Sequence, residues 1–116
     1  MPPNITLYHN PQCSKSRRAL ELLSENAEGV TVVEYLKQPP TAGELRSLIT
    51  SLGLRAHGIV RTKEPEYKQA RLSPASDDDE VIAAIVRYPR LLERPIAVCG
   101  SKAVIARPPE KVLGIL

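Results

Sequence analysis

Apolar and polar positions divide the first third of the chain into three elements. Residues 5–8 alternate as in a β-strand and end at a breaker sequence that contains Asn10 and Pro11. Ser14–Asn26 carries apolar residues at helical spacing, and residues 30–35 are rich in β-branched side chains. Two strands joined by a helix pair in parallel through a right-handed crossover. The pattern therefore predicts an opening βαβ unit.

The middle of the chain has a helical pattern. Thr41 and Glu44 have the spacing of a capping box, which predicts a helix from that point to about Leu52, with Gly53 as its C-cap. A run of acidic side chains near residue 77 suits the start of a further helix. We expect a helical insert at about residues 41–90. Its shorter helical segments are predicted at residues 56–60, 66–72 and 77–88.

The last part of the chain has the pattern of a β-hairpin followed by a helix. Ile96–Cys99 and residues 103–106 are apolar runs that flank a turn at Gly100. Pro108 starts a final helix that is predicted to reach Leu116. The order βαβ, helical insert, ββα predicts an α/β fold with a four-stranded mixed sheet, in one domain that spans residues 1–116.

Composition narrows the classes of function. The chain has 116 residues, a net charge of +3, four tyrosines and neither Phe nor Trp. A single-stranded nucleic-acid binder needs aromatic stacking platforms, so we expect no nucleic-acid partner. No apolar run approaches the roughly 20 residues of a membrane helix, and residues 1–6 lack a basic leader. We expect a cytoplasmic protein without membrane contact, whose positive charge suits a site for a small anion.

The two cysteines, Cys13 and Cys99, are too few for a disulfide framework, and we expect no metal site. Cys13 lies between the end of a predicted strand and the start of a helix. At such a point, free backbone N–H groups and the helix dipole stabilise a thiolate. This placement predicts a reactive nucleophile. The alternative is a small core residue, which a polar, proline-containing loop does not favour. Cys99, inside a predicted strand, is expected to be structural.

The residues after Cys13 exclude two classes of thiol enzyme. A dithiol oxidoreductase requires Cys-x-x-Cys, and the position three residues after Cys13 is Ser16. A low-molecular-weight tyrosine phosphatase requires an arginine six residues after its cysteine, where this chain has Ala19. We therefore expect Cys13 to act without a second thiol in its own loop.

Three arginines at element boundaries are candidates for binding an oxyanion. Arg61 ends an apolar stretch, Arg94 precedes the third strand, and Arg107 follows the fourth. A planar guanidinium binds a tetrahedral oxyanion through paired hydrogen bonds that lysine does not match. Each is equally consistent with an ordinary surface arginine, and spacing alone does not decide between the two interpretations.

Five segments form a pattern that is specific only in combination. They are Tyr8-His9-Asn10-Pro11-Gln12-Cys13 followed by Ser16-Arg17, residues 35–41, Arg61 with Glu64 and Tyr67, Arg94-Pro95-Ile96, and Ala106-Arg107-Pro108. Over nearly the whole chain, they resemble the glutaredoxin-coupled arsenate reductases, the ArsC family, and in particular its short members. The resemblance implies a thioredoxin-like fold.

The resemblance also implies roles for individual residues. Cys13 is implied to be the catalytic cysteine, and His9 is implied to help keep its thiolate charged. A cis peptide is implied before Pro95. The implied arsenate-binding residues are Arg61, Arg94 and Arg107. The implied supporting residues are Asn10, Ser16, Arg17 and Pro95.

The implied reaction reduces arsenate to arsenite through an adduct on Cys13. Glutathione is the implied co-substrate and glutaredoxin the implied protein partner; we expect no bound cofactor and a monomer. Two alternatives stay open. A glutathione-dependent thiol reductase of the same fold would not need the three arginines together. A Spx-type regulator that binds RNA polymerase typically carries Cys-x-x-Cys, which Ser16 interrupts.

Overall fold

The computed structural model describes residues 4–116, which form two compact units. The first unit comprises the chain up to Gln38 together with Arg94–Leu116, and the second is Pro39–Glu93. The first three residues belong to the segment in which we expected no leader, and they lie outside the described residues. The prediction of a single domain stays a prediction.

The first unit contains the sheet. Its strand order is β2-β1-β3-β4, with β1 parallel to β2 and antiparallel to β3, and with β3 antiparallel to β4. The predicted βαβ unit and four-stranded mixed sheet are confirmed. The elements of this unit are β1 (Ile5–His9), α1 (Ser14–Asn26), β2 (Val30–Glu34), β3 (Ile96–Cys99), β4 (Lys102–Ile105) and a terminal 3₁₀ helix (Pro109–Ile115).

The core of this unit fixes the two ends of the loop that contains Cys13. Ile5 and Leu7 of β1 are fully buried in one apolar cluster with Leu22 and Leu23 of α1. Since β1 is hydrogen-bonded to a strand on each side, its register cannot slip without exposing these side chains. The strand therefore ends, and the helix begins, at defined places on either side of the loop.

Some predicted boundaries in this unit are wrong by one residue, and the last helix differs in type. β1 ends at His9, one residue later than predicted. β2 ends at Glu34 and not at Tyr35, because the Lys37 and Gln38 N–H groups turn back to donate to the Glu34 carbonyl. β4 begins and ends one residue earlier than predicted. The terminal helix is a 3₁₀ helix whose buried residues, Val112 and Ile115, are three apart. Three residues per turn place both on one side, which matches the core.

The second unit begins with α2 (Ala42–Leu52), and its predicted caps are confirmed. The Thr41 hydroxyl accepts from the Glu44 N–H at 3.1 Å, and the Glu44 carboxylate accepts from the Thr41 N–H at 3.0 Å. Gly53 has a φ of +68° and ends the helix in the left-handed conformation. These signals are local in sequence, which is why they could be recognised there.

The remaining helices of the second unit are shorter than predicted. Arg71 has a positive φ of 57°, so a helix reaching residue 72 is ruled out. The segment at residues 56–60 is a 3₁₀ helix because Val60 leaves it to form a β-bridge with Leu92. The elements are a 3₁₀ helix (Ala56–Ile59), α3 (Pro65–Gln69), α4 (Asp78–Arg87) and a second 3₁₀ helix (Pro89–Leu91). Across residues 4–116, no helix has the length and apolar character needed to cross a membrane.

Candidate active site

A tight turn carries Cys13 from the end of β1 to the start of α1. The Cys13 N–H donates to the Asn10 carbonyl at 3.0 Å, and the Gln12 N–H donates to the Asn10 side-chain oxygen at 3.0 Å. An Asn side chain commonly closes a turn in this way, and Pro11 suits the fixed φ of a turn position. Cys13 itself becomes the N-cap residue of α1.

Ser16 ties this turn to the end of β1. Its side chain is completely buried, and its hydroxyl accepts from the Asn10 N–H at 3.0 Å. The same hydroxyl lies 2.6 Å from Nδ1 of His9. One buried oxygen thus contacts the last residue of the strand and the first residue of the loop. The structure brings His9, Asn10 and Ser16 together.

Arg17 fastens the outer side of the same loop. Its Nη1 donates to the Pro11 carbonyl at 2.8 Å, and the Arg17 N–H donates to the Cys13 carbonyl at 3.0 Å. The loop is therefore held from inside by a buried hydroxyl and from outside by an exposed guanidinium.

The environment of Cys13 favours its thiolate. Burial is the largest single influence and acts to raise the pKa, but it is outweighed. The N–H groups of Ser16 and Lys15 and the charge and hydrogen bond of Arg94 together hold the pKa of Cys13 below its ordinary value of 9.0. The N–H groups of Ser16 and Lys15 belong to the first turn of α1, where amides without a partner inside the helix stabilise negative charge. Cys13 is partly exposed, so a reactant can reach it.

Arg94 and Arg107 lie at the open end of the β3–β4 hairpin. Nη1 of Arg107 donates to the Arg94 carbonyl at 3.2 Å, while the Ala106 N–H donates to the Pro95 carbonyl at 2.9 Å. The Arg94–Pro95 peptide is cis, as the resemblance implied. The Arg107–Pro108 peptide is also cis, and neither the sequence pattern nor the resemblance indicated it. The structure thus links Cys13, Arg94 and Arg107 in one chain of contacts.

His9 is set up as a neutral group. Burial is the largest influence and lowers the pKa of His9 below 6.5. The charge of Glu34 comes next and raises the pKa, Arg17 lowers it, and the Ser16 hydrogen bond raises it by the smallest amount. At neutral pH the ring is therefore uncharged, and the positive charge beside the thiolate comes from Arg94. The role of His9 in keeping the thiolate charged stays a prediction; what the structure adds is its contact with Ser16.

Arg61 belongs to the second unit, where carboxylates surround it. Its Nε lies 3.3 Å from Glu64 Oε1, and its Nη1 lies 3.3 Å from Glu93 Oε1. In the sequence, Glu64 stands out as part of the ArsC pattern but not as a contact of Arg61. Glu93 carries no such signal, because nothing local connects positions 32 residues apart.

Cys99 lies away from solvent, and the metal-ligating residue types are dispersed in the described part of the chain. Cys99 is buried in the core of the first unit, as expected for a structural residue. Among residues 4–116, no three His, Cys, Asp or Glu side chains group closely enough to hold a metal ion. The chemistry of this site is that of a cysteine beside guanidinium groups.

Comparison with known proteins places this geometry in a family. The sequence pattern of the ArsC family matches residues 8–115, which include the Cys13 loop and all three candidate arginines. The chain belongs to the ArsC family. Its α/β structure with a mixed four-stranded sheet is the thioredoxin-like fold of that family.

Individual relatives cover 98–100% of this chain. An arsenate reductase from Neisseria meningitidis serogroup B is 44% identical over 116 residues, covering 98% of this chain and 99% of the relative. The uncharacterized protein YfgD from Escherichia coli K12 is 47% identical over 118 residues, covering 100% and 99%. A solved structure, an arsenate reductase from Vibrio cholerae, matches with a TM-score of 0.93 at 42% identity, covering 100% of both chains.

Proposed function

We propose that this ArsC protein reduces arsenate to arsenite through a thiolate–arsenate adduct on Cys13. The observation that carries the proposal is the Cys13 thiol at the start of α1, with its pKa lowered by backbone amides and by Arg94. Relatives named arsenate reductase, at 44% identity over nearly the full chain, support the choice of substrate. A thiolate is the form that attacks an electrophilic centre, so this arrangement prepares the first step.

The arginines are proposed to bind the oxyanion. Arg94 interacts with the Cys13 thiol, and the Arg94 carbonyl accepts a hydrogen bond from Nη1 of Arg107. One chain of contacts in the first unit therefore joins both arginines to Cys13. A guanidinium offers fixed, permanently charged donors for arsenate oxygens. Such donors also stabilise charge that develops as an oxygen leaves arsenic. Arg61 is proposed as a third arsenate ligand, supported by the ArsC pattern of the sequence.

The proposed reaction balances with two external thiols. Cys13 attacks arsenic(V), an As–S bond forms, and one oxygen leaves as water. Glutathione then displaces a second oxygen from arsenic, which also leaves as water, and a second As–S bond forms. The glutaredoxin thiol attacks the glutathione sulfur and forms a mixed disulfide, while the bond between arsenic and the glutathione sulfur breaks and its electron pair stays on arsenic. The two external thiols are thereby oxidised and arsenic(V) is reduced to arsenic(III). Water then replaces the Cys13 sulfur on arsenic, so that arsenite is released and Cys13 returns as a thiol.

External thiols are proposed because the cysteine loop holds none besides Cys13. Ser16 stands where a dithiol enzyme has its second cysteine, and Cys99 is buried in the core. We also propose that the protein acts in the cytoplasm, since glutathione and thioredoxin-type systems keep thiols reduced there. The proposed oligomeric state is a monomer. Asn10, Ser16, Arg17 and Pro95 are proposed to support the loop, and His9 to assist Cys13.

The test is an arsenate-dependent assay that follows NADPH oxidation in the presence of glutathione, glutaredoxin and glutathione reductase. We expect turnover by the wild type and its loss in Cys13→Ser and Arg94→Ala. The matched controls are Cys99→Ser, a buried cysteine, and Arg46→Ala, an exposed arginine paired with Asp79 in the second unit. Both controls should retain turnover.

Two results would contradict the proposal. Turnover that survives Cys13→Ser would remove the adduct from the mechanism. A wild type that forms a glutathione adduct on Cys13 but shows no arsenate-dependent oxidation of NADPH would favour the thiol-reductase alternative. Omitting glutaredoxin from the assay tests the protein partner separately, and full activity without it would exclude that part of the scheme.

A further inference from the structure

Within the second unit, two carboxylates hold the guanidinium of Arg61 from two sides. Glu64 Oε1 lies 3.3 Å from Nε, and Glu93 Oε1 lies 3.3 Å from Nη1. All three side chains are mostly buried, with exposures of 22% for Arg61, 17% for Glu64 and 25% for Glu93. Nη2, the third guanidinium nitrogen of Arg61, donates no hydrogen bond to any of residues 4–116.

The backbone fixes where these carboxylates stand. The Arg61 N–H donates to the Leu91 carbonyl at 2.7 Å, and the Glu93 N–H donates to the Ile59 carbonyl at 2.8 Å. These bonds lie on either side of the antiparallel bridge between Val60 and Leu92. Arg61 and Glu93 each directly follow one of the two bridge residues. Glu64 is placed by a turn in which its own N–H donates to the Arg61 carbonyl at 3.3 Å. Both partners of Arg61 are thus set by main-chain hydrogen bonds.

A second arginine steadies Glu64. Nη2 of Arg90 lies 3.5 Å from Glu64 Oε2, so the two oxygens of this carboxylate face two different guanidinium groups. The pair Arg18–Glu21 on α1 has the same spacing of three residues but side-chain exposures of 46% and 58%. An exposed pair of that kind contributes little, because solvent screens it and both side chains lose rotamer freedom. The mostly buried side chains around Arg61 lose less conformational entropy when a ligand binds, since they are already ordered.

We propose that Glu64 and Glu93 are positioning residues that hold Arg61 so that Nη2 is presented to an oxyanion. The inference rests on the proposed function, which makes Arg61 a ligand of arsenate. It goes beyond that function because it assigns a role to two carboxylates whose charge opposes anion binding. Their electrostatic effect alone would weaken arsenate binding, and only their effect on the geometry of Arg61 would strengthen it.

These opposite signs make the proposal testable with isosteric variants. Glu64→Gln and Glu93→Gln remove a negative charge and keep the shape of the side chain. If the carboxylates position Arg61, the KM for arsenate rises about 5- to 10-fold in each variant while kcat changes little, because a loosened ligand costs binding. If they act only as charges, the KM falls. Glu21→Gln, from the exposed pair of the same spacing, should leave both parameters unchanged.

A double-mutant cycle shows whether the effect passes through Arg61. In an Arg61→Gln background, Glu93→Gln should produce no further change in KM, since the group that it positions is gone. Additive effects would overturn the positioning role. Circular dichroism and a thermal midpoint confirm that each variant is folded, and Arg61→Lys supplies a second background if Arg61→Gln does not fold.

A readout that is independent of arsenate separates this proposal from the proposed function. In the ¹⁵N-labelled protein, the Arg61 Nε–H resonance is assigned by its loss in Arg61→Lys. We expect it to be sharp in the wild type and broadened in Glu64→Gln, where the Nε partner loses its charge. Sharp resonances in both proteins would show that Glu64 does not hold Arg61 in place, and would overturn the positioning role. A sharp wild-type resonance that broadens in Glu64→Gln, in a protein without arsenate turnover, would overturn the proposed function and with it the positioning role. The contacts between Arg61 and its carboxylates would then still stand.

Discussion

The two cysteines carry the same side chain in two different environments. Cys13 caps α1, is partly exposed, and has its pKa lowered by amides and by Arg94. Cys99 lies on β3 and is buried with apolar side chains of the sheet and of α1. The first environment favours a reactive thiolate and the second favours a packing role. This contrast predicts that changes at the two cysteines affect different properties of the protein.

The same substitution should have its main effect on different properties at the two sites. Cys13→Ser should lower arsenate turnover by at least about 10³-fold, since it removes the nucleophile of the proposed reaction. Cys99→Ser should retain turnover within about threefold, provided that the assay is run below its unfolding temperature. The measurement is kcat in the coupled assay, and a large loss of kcat in folded Cys99→Ser would break the contrast.

Alkylation should separate the two thiols kinetically. At neutral pH, iodoacetamide should modify Cys13 on the order of 10²-fold faster than Cys99, because Cys99 reacts only after an opening of the core that costs several kcal/mol. Mass spectrometry of tryptic peptides over time gives both rates. Preferential modification of Cys99 would contradict the assignment, and denaturant should bring the two rates together.

Stability should respond in the opposite order. Cys99→Ser places a hydroxyl in the apolar cluster and should lower the free energy of unfolding by about 1–3 kcal/mol. Cys13→Ser lies in a partly exposed loop and should change it by less than about 0.5 kcal/mol. Urea unfolding measures both values, and Cys99→Ala is the control that removes the thiol without adding a polar group.

Arg94 should account for part of the reactivity of Cys13. Arg94→Ala removes a charge and a hydrogen bond that lower the pKa of the thiol, so less thiolate is present at neutral pH. The alkylation rate of Cys13 should fall severalfold, and the midpoint of its pH profile should move upward. Arg94→Lys keeps the charge, so its alkylation rate and its pH midpoint should lie between those of the wild type and Arg94→Ala. An unchanged profile in Arg94→Ala would assign the effect to the backbone amides alone.

The dependence of stability on pH should be the smallest of these effects. The pKa of Cys13 is lower in the folded protein than its ordinary 9.0, so the unfolded chain binds more protons between those two values. This contribution to stability is complete above pH 9 and is lost as the pH falls through the folded pKa. Cys13→Ser should flatten the free energy of unfolding over that range, whereas Cys99→Ser should keep the slope at a lower overall stability.

Local signals explain what could be predicted from the sequence. The capping box of Thr41 and Glu44, the glycine that ends α2 and the position of Cys13 before α1 all depend on residues within one turn of each other. Each of them is confirmed. The ArsC resemblance added what spacing could not decide. It implied an arsenate-binding role for the three arginines, which stays a prediction, and the cis peptide before Pro95, which is confirmed.

Features that depend on distant contacts were missed. The 3₁₀ geometry of residues 109–115 follows from how Val112 and Ile115 meet the core. The Arg61–Glu93 contact needs the bridge between Val60 and Leu92. Ser16 could be excluded as a second thiol, but its buried link between His9 and Asn10 required the backbone of the loop. In each case the partner is fixed by tertiary structure and leaves no periodic signal.

The β3–β4 hairpin has a consequence for protein engineering. Arg107 reaches the Arg94 carbonyl at the open end of the hairpin, while the turn at Gly100, with a φ of +61°, closes the other end. A peptide tag or fluorophore inserted between Gly100 and Lys102 would leave the pairing of Ile96 with Ile105 untouched. A single deletion within β4 would shift that pairing and turn alternate side chains to the other face. The turn of the hairpin is thus a site for inserting a reporter, whereas the four residues of β4 do not tolerate an insertion or a deletion.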